Sequence, residues 1–175
     1  MGLWVERVAV GAGRELAGVD GVEAAYRSGD WEFGDVLGNF SQPMDDVVER
    51  VVQRLDAPAI GFYVADSDAA AVYFAGPDTP VDWLAINHSY EDSDEAHTQQ
   101  WLDPEDHGKA AAALAAWSAV YAPRTTTDAE IVASLAALEE PGLSEELGGR
   151  SMVFAEEGVE AIFNELLGIG SIHAD

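Results

Sequence analysis

Hydrophobic and polar residues follow regular intervals along most of the first third of the chain. Residues 3–10, LWVERVAV, combine branched and aromatic side chains and are followed by two glycines, which predicts a strand. Residues 14–28 predict a partly helical segment, although Gly18 and Gly21 interrupt it. The glycine-punctuated connection that follows predicts a short strand around residues 31–33.

An amphipathic helix is the clearest element of this region. In residues 41–58, SQPMDDVVERVVQRLDAP, valines and a leucine recur at helical spacing, and Pro58 ends the pattern. Pro43 suits a first helical turn, where Asp45 and Asp46 complement the positive end of the helix dipole. The pattern predicts a helix that covers one face of a sheet.

A hairpin and a third strand are predicted next. Ile60, Phe62 and Val64 share one face of a first strand because successive side chains of a strand alternate between its faces. The turn residues DSDA follow, and residues 70–76 form the second strand. Residues 81–87 add a third, antiparallel strand.

The second half of the chain reads mainly as helices. An alanine-rich helix is predicted over residues 104–121, with Asp103 as its N-cap. A capping-box spacing predicts a further helix over residues 127–140. Residues 156–170 predict a last amphipathic helix that is closed by Gly168.

Together these elements predict an α+β protein. We expect a small antiparallel sheet of about three to five strands, packed against amphipathic helices, and a helix-rich C-terminal half. A single globular domain over residues 1–175 is expected, with a sheet-containing part at 1–87 and a mainly helical part at 103–170. The 48% of hydrophobic residues is enough for a core, and the absence of cysteine excludes disulfides, thiolate metal sites and cysteine nucleophiles.

The net charge narrows the classes of partner. Thirty-three acidic residues against eight lysines and arginines give a net charge of −25. Such a field repels nucleic-acid phosphates and anionic membranes, and it attracts basic proteins. We therefore expect no nucleic-acid or membrane partner. The chain shows neither a basic segment leading into an apolar run nor a cysteine, which favours a cytoplasmic location.

The distribution of charge is more informative than its total. No lysine or arginine lies between Arg54 and Lys109, whereas this interval contains twelve acidic residues. Residues 1–54, by contrast, contain ten acidic residues and five arginines. An acidic proteome explains a large negative total but does not predict this asymmetry. The middle third of the chain is therefore the candidate functional region.

One stretch of that region has the composition of a contact surface. In residues 87–108, NHSYEDSDEAHTQQWLDPEDHG, two aromatic residues bracket an acidic loop. Aromatic side chains anchor protein interfaces, and charges steer the partner towards them. We predict that the contact region for a basic protein lies between Asp82 and Asp106. Its predicted binding residues are Asp82, Tyr90, Glu91, Asp92, Asp94, Glu95 and Trp101.

Histidines in the same stretch offer an alternative as metal ligands. His88, His97 and His107 lie nine and ten positions apart, which matches no compact zinc signature. The calcium-loop pattern also fails, because its glycine and terminal glutamate are not in register. We expect no bound metal or cofactor, and a metal-dependent hydrolase that uses these histidines and nearby carboxylates remains the alternative.

Asp66 and Asp68 are a further pair of candidate catalytic residues. The stretch GFYVADSDAAAV resembles the nucleophile motif of haloacid-dehalogenase-type phosphatases, in which two aspartates follow a hydrophobic strand. The resemblance implies a nucleophile at Asp66 and an acid/base at Asp68. The sequence departs from that pattern at Ala70, and a hairpin is predicted where those enzymes have a crossover helix. Glycine-rich phosphate loops and serine-nucleophile motifs also fail, so the sequence leans against an enzyme.

The favoured function is that of a non-enzymatic acidic binding protein. It would resemble inhibitors and immunity proteins in general character, and it would neutralise or scaffold a basic protein partner. The alternatives are the metal-dependent hydrolase and an acidic structural or assembly subunit, in which the charge serves solubility. The sequence indicates no particular oligomeric state.

Overall fold

The computed structural model describes residues 5–38, 41–65, 69–86, 104–122 and 155–168, together with residues 129, 132, 133 and 136. Within this part of the chain it contains six strands and three helices, so the α+β prediction is confirmed. The strands are β1 Val5–Val10, β2 Val22–Ser28, β3 Trp31–Val36, β4 Ala59–Ala65, β5 Ala69–Gly76 and β6 Thr79–Ile86. The helices are α1 Met44–Leu55, α2 Pro104–Tyr121 and α3 Ala155–Leu167.

All six strands form one antiparallel sheet in the order β2-β3-β1-β4-β5-β6. The sheet is therefore larger than the three to five strands predicted. The β2–β3 hairpin lies on one side of β1, and the β4–β5–β6 meander lies on the other. The hairpin and the third strand that the alternation predicts are confirmed as this meander.

The prediction of partial helix over residues 14–28 is wrong, because its second half is β2. The preceding loop contains Gly18 and Gly21 with φ of +81° and +75°, a conformation that ends any helix. Val22–Ser28 then pairs with β3, with a bulge between Ala24 and Tyr26. Strand pairing with β3 thus outweighs the helical preference of its glutamate and alanines.

Helix α1 covers one face of the sheet, which we call the α1 face. Its apolar side is buried, as the amphipathic pattern predicts. The helix approaches the sheet closely at Gly61, where a Cβ would lie 2.7 Å from Met44 Sδ and 2.9 Å from Val48 Cγ2. The acidic residues Asp45 and Asp46 lie in its first turn, where they favour the helix dipole.

The opposite face carries the larger core and is covered by α2 and α3. There Phe163 of α3 packs against Phe33 and Phe62, with ring centroids 6.1 and 5.3 Å apart. Trp117 of α2 lies over Trp31 and Phe74, with centroids 6.0 Å apart in each pair. Among the elements whose bounds the structure describes, one helix therefore covers one face of the sheet and two cover the other.

The C-terminal half is described only in part. Helix α2 has the bounds that the sequence predicts. Helix α3 ends at Leu167, and the next residue, Gly168, forms the predicted cap through its φ of +67° and its N–H bond to Asn164 O. Residues 129, 132, 133 and 136 are helical. The rest of the predicted helix at 127–140 lies outside the described residues, so the helix-rich half stays a prediction.

Candidate functional site

The predicted contact residues fall mostly outside the described part of the chain. Asp82 is described: it is exposed and lies in β6. The others, Tyr90, Glu91, Asp92, Asp94, Glu95 and Trp101, belong to residues 87–103, which the structure does not describe. The predicted surface therefore begins at the last strand of the sheet and stays a prediction beyond it.

Most of the histidines predicted as alternative metal ligands also fall outside the described part of the chain. His107 lies on α2 and is 3% exposed, whereas His88 and His97 lie outside the described residues. Within the ranges that the structure describes, no three side chains of His, Asp or Glu are grouped so as to hold a metal ion.

Asp66 and Asp68, the residues compared with a phosphatase motif, also lie outside the described residues. The strands on either side of them, β4 and β5, are antiparallel neighbours from Ala59↔Ala75 to Ala65↔Ala69. The segment therefore joins a hairpin, as predicted, and does not lead into a crossover helix.

Three carboxylates of α1 lie beside β5 and β6. Asp45, Asp46 and Glu49 line the surface there, and we call this side of the helix its acidic flank. Arg50 donates to Gln42 Oε1 at 2.6 Å. At about 3.6 residues per turn Asp46 lies one turn before Arg50 on the same side of the helix, so acidic and basic side chains are neighbours at that point.

A groove runs between the acidic flank of α1 and the β5–β6 turn. We call it the α1–β6 groove; its volume is about 300 Å³. Three carboxylates and an amide line the helix side, and small or apolar residues line the strand side. Its lining residues are Asp45, Asp46, Glu49, Val52, Gln53, Ala75, Gly76, Pro77, Thr79, Pro80 and Val81.

Three half-buried aromatic side chains extend this surface across the α1 face. We call Tyr63, Tyr73 and Trp83, which lie on three adjacent strands, the aromatic row. Ring centroids are 6.2 Å apart for Tyr63 and Tyr73, and 6.1 Å apart for Tyr73 and Trp83. The Tyr73 and Trp83 rings are nearly parallel, with 19° between their planes.

Burial controls the ionisation of the two tyrosines. It raises the pKa of the Tyr63 hydroxyl and, more strongly, that of Tyr73. For Tyr73 the neighbouring Tyr63 and the Asp45 carboxylate raise the pKa further. Asp45 therefore both lines the groove and acts on the pKa of Tyr73 in the aromatic row.

At the outer edge of the row, Asp82 contacts the backbone of its neighbour. Its Oδ1 accepts a hydrogen bond of 2.8 Å from the N–H of Trp83. Trp83 is in register with Tyr73 of β5, and β6 is the last strand in the sheet order. Asp82 and Trp83 are consecutive residues of this edge strand, so their side chains leave it towards opposite faces of the sheet.

The other half of the sheet holds arginines in ion pairs. Arg7 Nε contacts Asp35 Oδ1 at 2.7 Å, and its guanidinium carbon lies 5.7 Å from the centroid of the Tyr26 ring. Arg27 pairs with Glu32 at 3.0 Å and with Glu15 at 3.2 Å. In this half, three acidic side chains, those of Glu15, Glu32 and Asp35, pair with arginines of the same chain.

Comparison with known proteins gives no relative: neither a family model, nor a curated protein, nor a solved structure matches this chain. Among the residues that the structure describes, no helix is both long and apolar enough to cross a membrane.

Sequence reasoning missed the α1–β6 groove. It explained Asp45 and Asp46 by the helix dipole alone, and it did not connect them with residues 75–81, about 30 positions later. A helical wheel of α1 carries part of the missing signal, because it places Asp45 and Glu49 near each other and far around the helix from Arg54.

Proposed function

We propose that this protein binds a basic partner protein and acts as a non-enzymatic inhibitor or immunity-type protein. The observation that carries the proposal is the set of three carboxylates, Asp45, Asp46 and Glu49, that α1 contributes to the α1–β6 groove. Neither arginine of α1 lines this groove. A cationic side chain that enters the groove meets negative charge on the helix side and apolar surface on the strand side.

The dimensions of the groove fit this use. Ligand pockets in proteins span roughly 300–1,000 Å³, so a cleft of about 300 Å³ admits side chains or a short extended segment. Carboxylates at an interface raise the association rate of cationic partners and select against acidic ones. Apolar residues such as Val52 and Val81 supply the desolvated contact that charge alone does not provide.

The predicted contact segment belongs to the same proposal. Residues 87–103 follow directly on β6, whose first residues line the groove and whose Asp82 is exposed. The favoured interface therefore runs from the groove along β6 and into the acidic stretch that contains Tyr90 and Trp101.

Two triple variants of equal charge test the proposal. D45N/D46N/E49Q removes the three carboxylates of the groove. D20N/E23Q/D30N removes three exposed carboxylates near β2, at the other edge of the sheet. Each immobilised protein is exposed to lysate of the source organism at low and at high salt, and the affinity of any captured basic protein is then measured by calorimetry.

We expect wild type and the β2-edge variant to capture the same basic protein at low salt. The groove variant should bind it at least roughly 10-fold more weakly, because each close charge pair that the variant removes contributes about 1.5 kcal/mol or more. Melting temperatures of all three proteins control for the dipole effect of Asp45 and Asp46. Equal binding by both triple variants, or no basic protein captured by wild type at either salt, contradicts the proposal.

A further inference from the structure

The α1–β6 groove and the aromatic row are neighbouring parts of the α1 face. On β5, Ala75 lines the groove, and Tyr73 of the row lies two positions before it. On β6, Val81 lines the groove, and Trp83 of the row lies two positions after it. Tyr73 and Val81 pack against the same buried cluster as α1. The groove therefore leads into the row along both strands.

The two parts of this surface differ in chemistry. In the groove, α1 contributes the carboxylates of Asp45, Asp46 and Glu49. In the row, the half-buried rings of Tyr73 and Trp83 are nearly parallel and offer apolar surface. Asp45 lies at the junction, because it lines the groove and also raises the pKa of the Tyr73 hydroxyl. A partner thus meets negative charge and, directly beside it, aromatic surface.

The interval between the two parts is that of two residues in an extended chain. Val81 and Trp83 are two strand positions apart, which corresponds to about 7 Å. In an extended partner segment, side chains two positions apart point to the same side and are separated by the same interval. A segment that lies along β6 therefore places one side chain over the groove and the next but one over the row.

We propose that the partner contacts this surface with an extended segment in which a basic residue and an apolar residue are two positions apart. This inference rests on the proposed function and specifies the contact sequence of the basic partner. The basic side chain enters the α1–β6 groove, where the carboxylates of α1 compensate its charge. The apolar side chain packs on Tyr73 and Trp83, and the residue between the two points away from the surface.

Two capped heptapeptides of the same composition and charge test the spacing. In Lys-Ser-Phe-Ser-Lys-Ser-Phe, the lysines and phenylalanines lie on one side of an extended chain. In Lys-Phe-Ser-Ser-Lys-Phe-Ser, the phenylalanines lie on the side opposite the lysines. Calorimetry at low salt should show that wild type binds the one-sided peptide roughly 3- to 10-fold more tightly than the two-sided peptide. Only the one-sided peptide can bury a phenylalanine on the row while its lysine occupies the groove.

Two substitutions of an apolar residue by threonine test the part played by the row. Trp83→Thr should lower the affinity for the one-sided peptide to that for the two-sided peptide, and it should leave the affinity for the two-sided peptide unchanged. Val120→Thr alters an exposed residue of α2, which covers the opposite face of the sheet, and should change neither affinity.

The two charge variants separate this inference from the proposed function. D45N/D46N/E49Q should weaken both peptides alike, and it should weaken them more than D20N/E23Q/D30N, which removes the same charge elsewhere. If the two charge variants bind the peptides equally well, the proposed function is overturned and the inference with it. Equal affinity of wild type for the two peptides would overturn the spacing alone and leave the proposed function standing.

The indole N–H resonances of wild type provide a readout even if Trp83→Thr fails to fold. The one-sided peptide should shift the Trp83 resonance more strongly than the two-sided peptide does. The resonance of Trp31, which is buried on the opposite face against Trp117, should stay in place with both peptides. A Trp83 resonance that responds equally to the two peptides would contradict the contact between the row and the apolar residue.

Discussion

The indole Nε1–H of Trp117 donates a hydrogen bond of 2.8 Å to the carbonyl oxygen of Ala75 and so joins α2 to β5. The β5–β6 register is irregular between Phe74 and Gly76, and no residue of β6 is in register with Ala75. The tryptophan therefore satisfies a backbone carbonyl at an irregular point of the sheet, while its ring lies between Trp31 and Phe74.

Replacing Trp117 by phenylalanine should destabilise the protein. The change leaves the Ala75 carbonyl without its partner in a buried setting, which costs about 1–3 kcal/mol, and the smaller ring adds a packing defect. Urea denaturation followed by circular dichroism measures the loss. Val120→Thr, an exposed substitution on the same helix, should change stability by no more than about 0.5 kcal/mol. A Trp117→Phe protein as stable as wild type would show that the bond contributes nothing.

Two glycine-to-alanine substitutions should act in opposite directions. At Gly34 a Cβ would lie 2.6 Å from Val22 Cγ1 and 2.9 Å from the backbone oxygen of Glu23, so Gly34→Ala should cost about 1–3 kcal/mol. At Gly108 in α2 a Cβ would meet nothing within 4 Å, and alanine should stabilise the helix by up to about 1 kcal/mol. Thermal melting shows whether Gly34→Ala lowers the melting temperature and Gly108→Ala raises it. A loss of stability in Gly108→Ala would contradict the helical placement of Gly108.

Stability should fall at alkaline pH because of the aromatic row. Burial raises the pKa of Tyr63 and Tyr73 in the folded state above the value of about 10 that tyrosine has in an unfolded chain. Above that pH the unfolded chain binds fewer protons than the folded protein, so the free energy of unfolding decreases as pH rises. Below it, this contribution is fully present.

Denaturation at a series of pH values, together with tyrosinate absorbance, measures this effect. Tyr73→Phe should make the alkaline decrease shallower, because one of the shifted hydroxyls is removed. A slope identical to that of wild type would show that Tyr73 ionises as freely in the folded state as in the unfolded chain.

Added salt should stabilise the fold while it weakens partner binding. Raising ionic strength from about 0.01 to 1 M shortens the Debye length from about 30 to 3 Å, which screens the repulsion of a net charge of −25. The same screening weakens attraction to a basic partner. The D20N/E23Q/D30N variant carries three fewer negative charges and should show a shallower rise of melting temperature with sodium chloride. An acidic subunit whose charge serves solubility alone would also be stabilised by salt, but it would bind no basic protein at any salt concentration.

The sequence predicts those elements whose signals are local. Helix α1 has its apolar period, its acidic first turn and a terminating proline within one short stretch, and the β4–β5–β6 meander has alternation and turn residues. β2 was missed because residues such as Glu23 and Ala24 favour helix in isolation, and their strand depends on pairing with β3. Local signals do not contain that information.

The candidate site depends on both local and non-local information. The sequence predicts Asp82 from its place in an acidic block; Asp82 is exposed in β6, and its role in binding stays a prediction. The sequence does not predict the groove, because the groove needs α1 to lie across the β5–β6 turn, and this depends on how the sheet is assembled. The charge pattern along the chain is the ground for expecting a cationic partner, whereas the packing of α1 determines where the three carboxylates of the groove gather.

The central position of β1 has a consequence for how the chain folds. The β2–β3 hairpin and the β4–β5–β6 meander join residues that are close in sequence, so each can form early. β1 joins them by pairing with β3 and β4, and its Val10 meets Ala59, 49 positions later. Closing that long loop lowers the entropy of the chain before contacts in the core compensate for the loss. We therefore expect this step to limit the folding rate. During synthesis β1 leaves the ribosome before β4, so the centre of the sheet closes only after β4 has emerged.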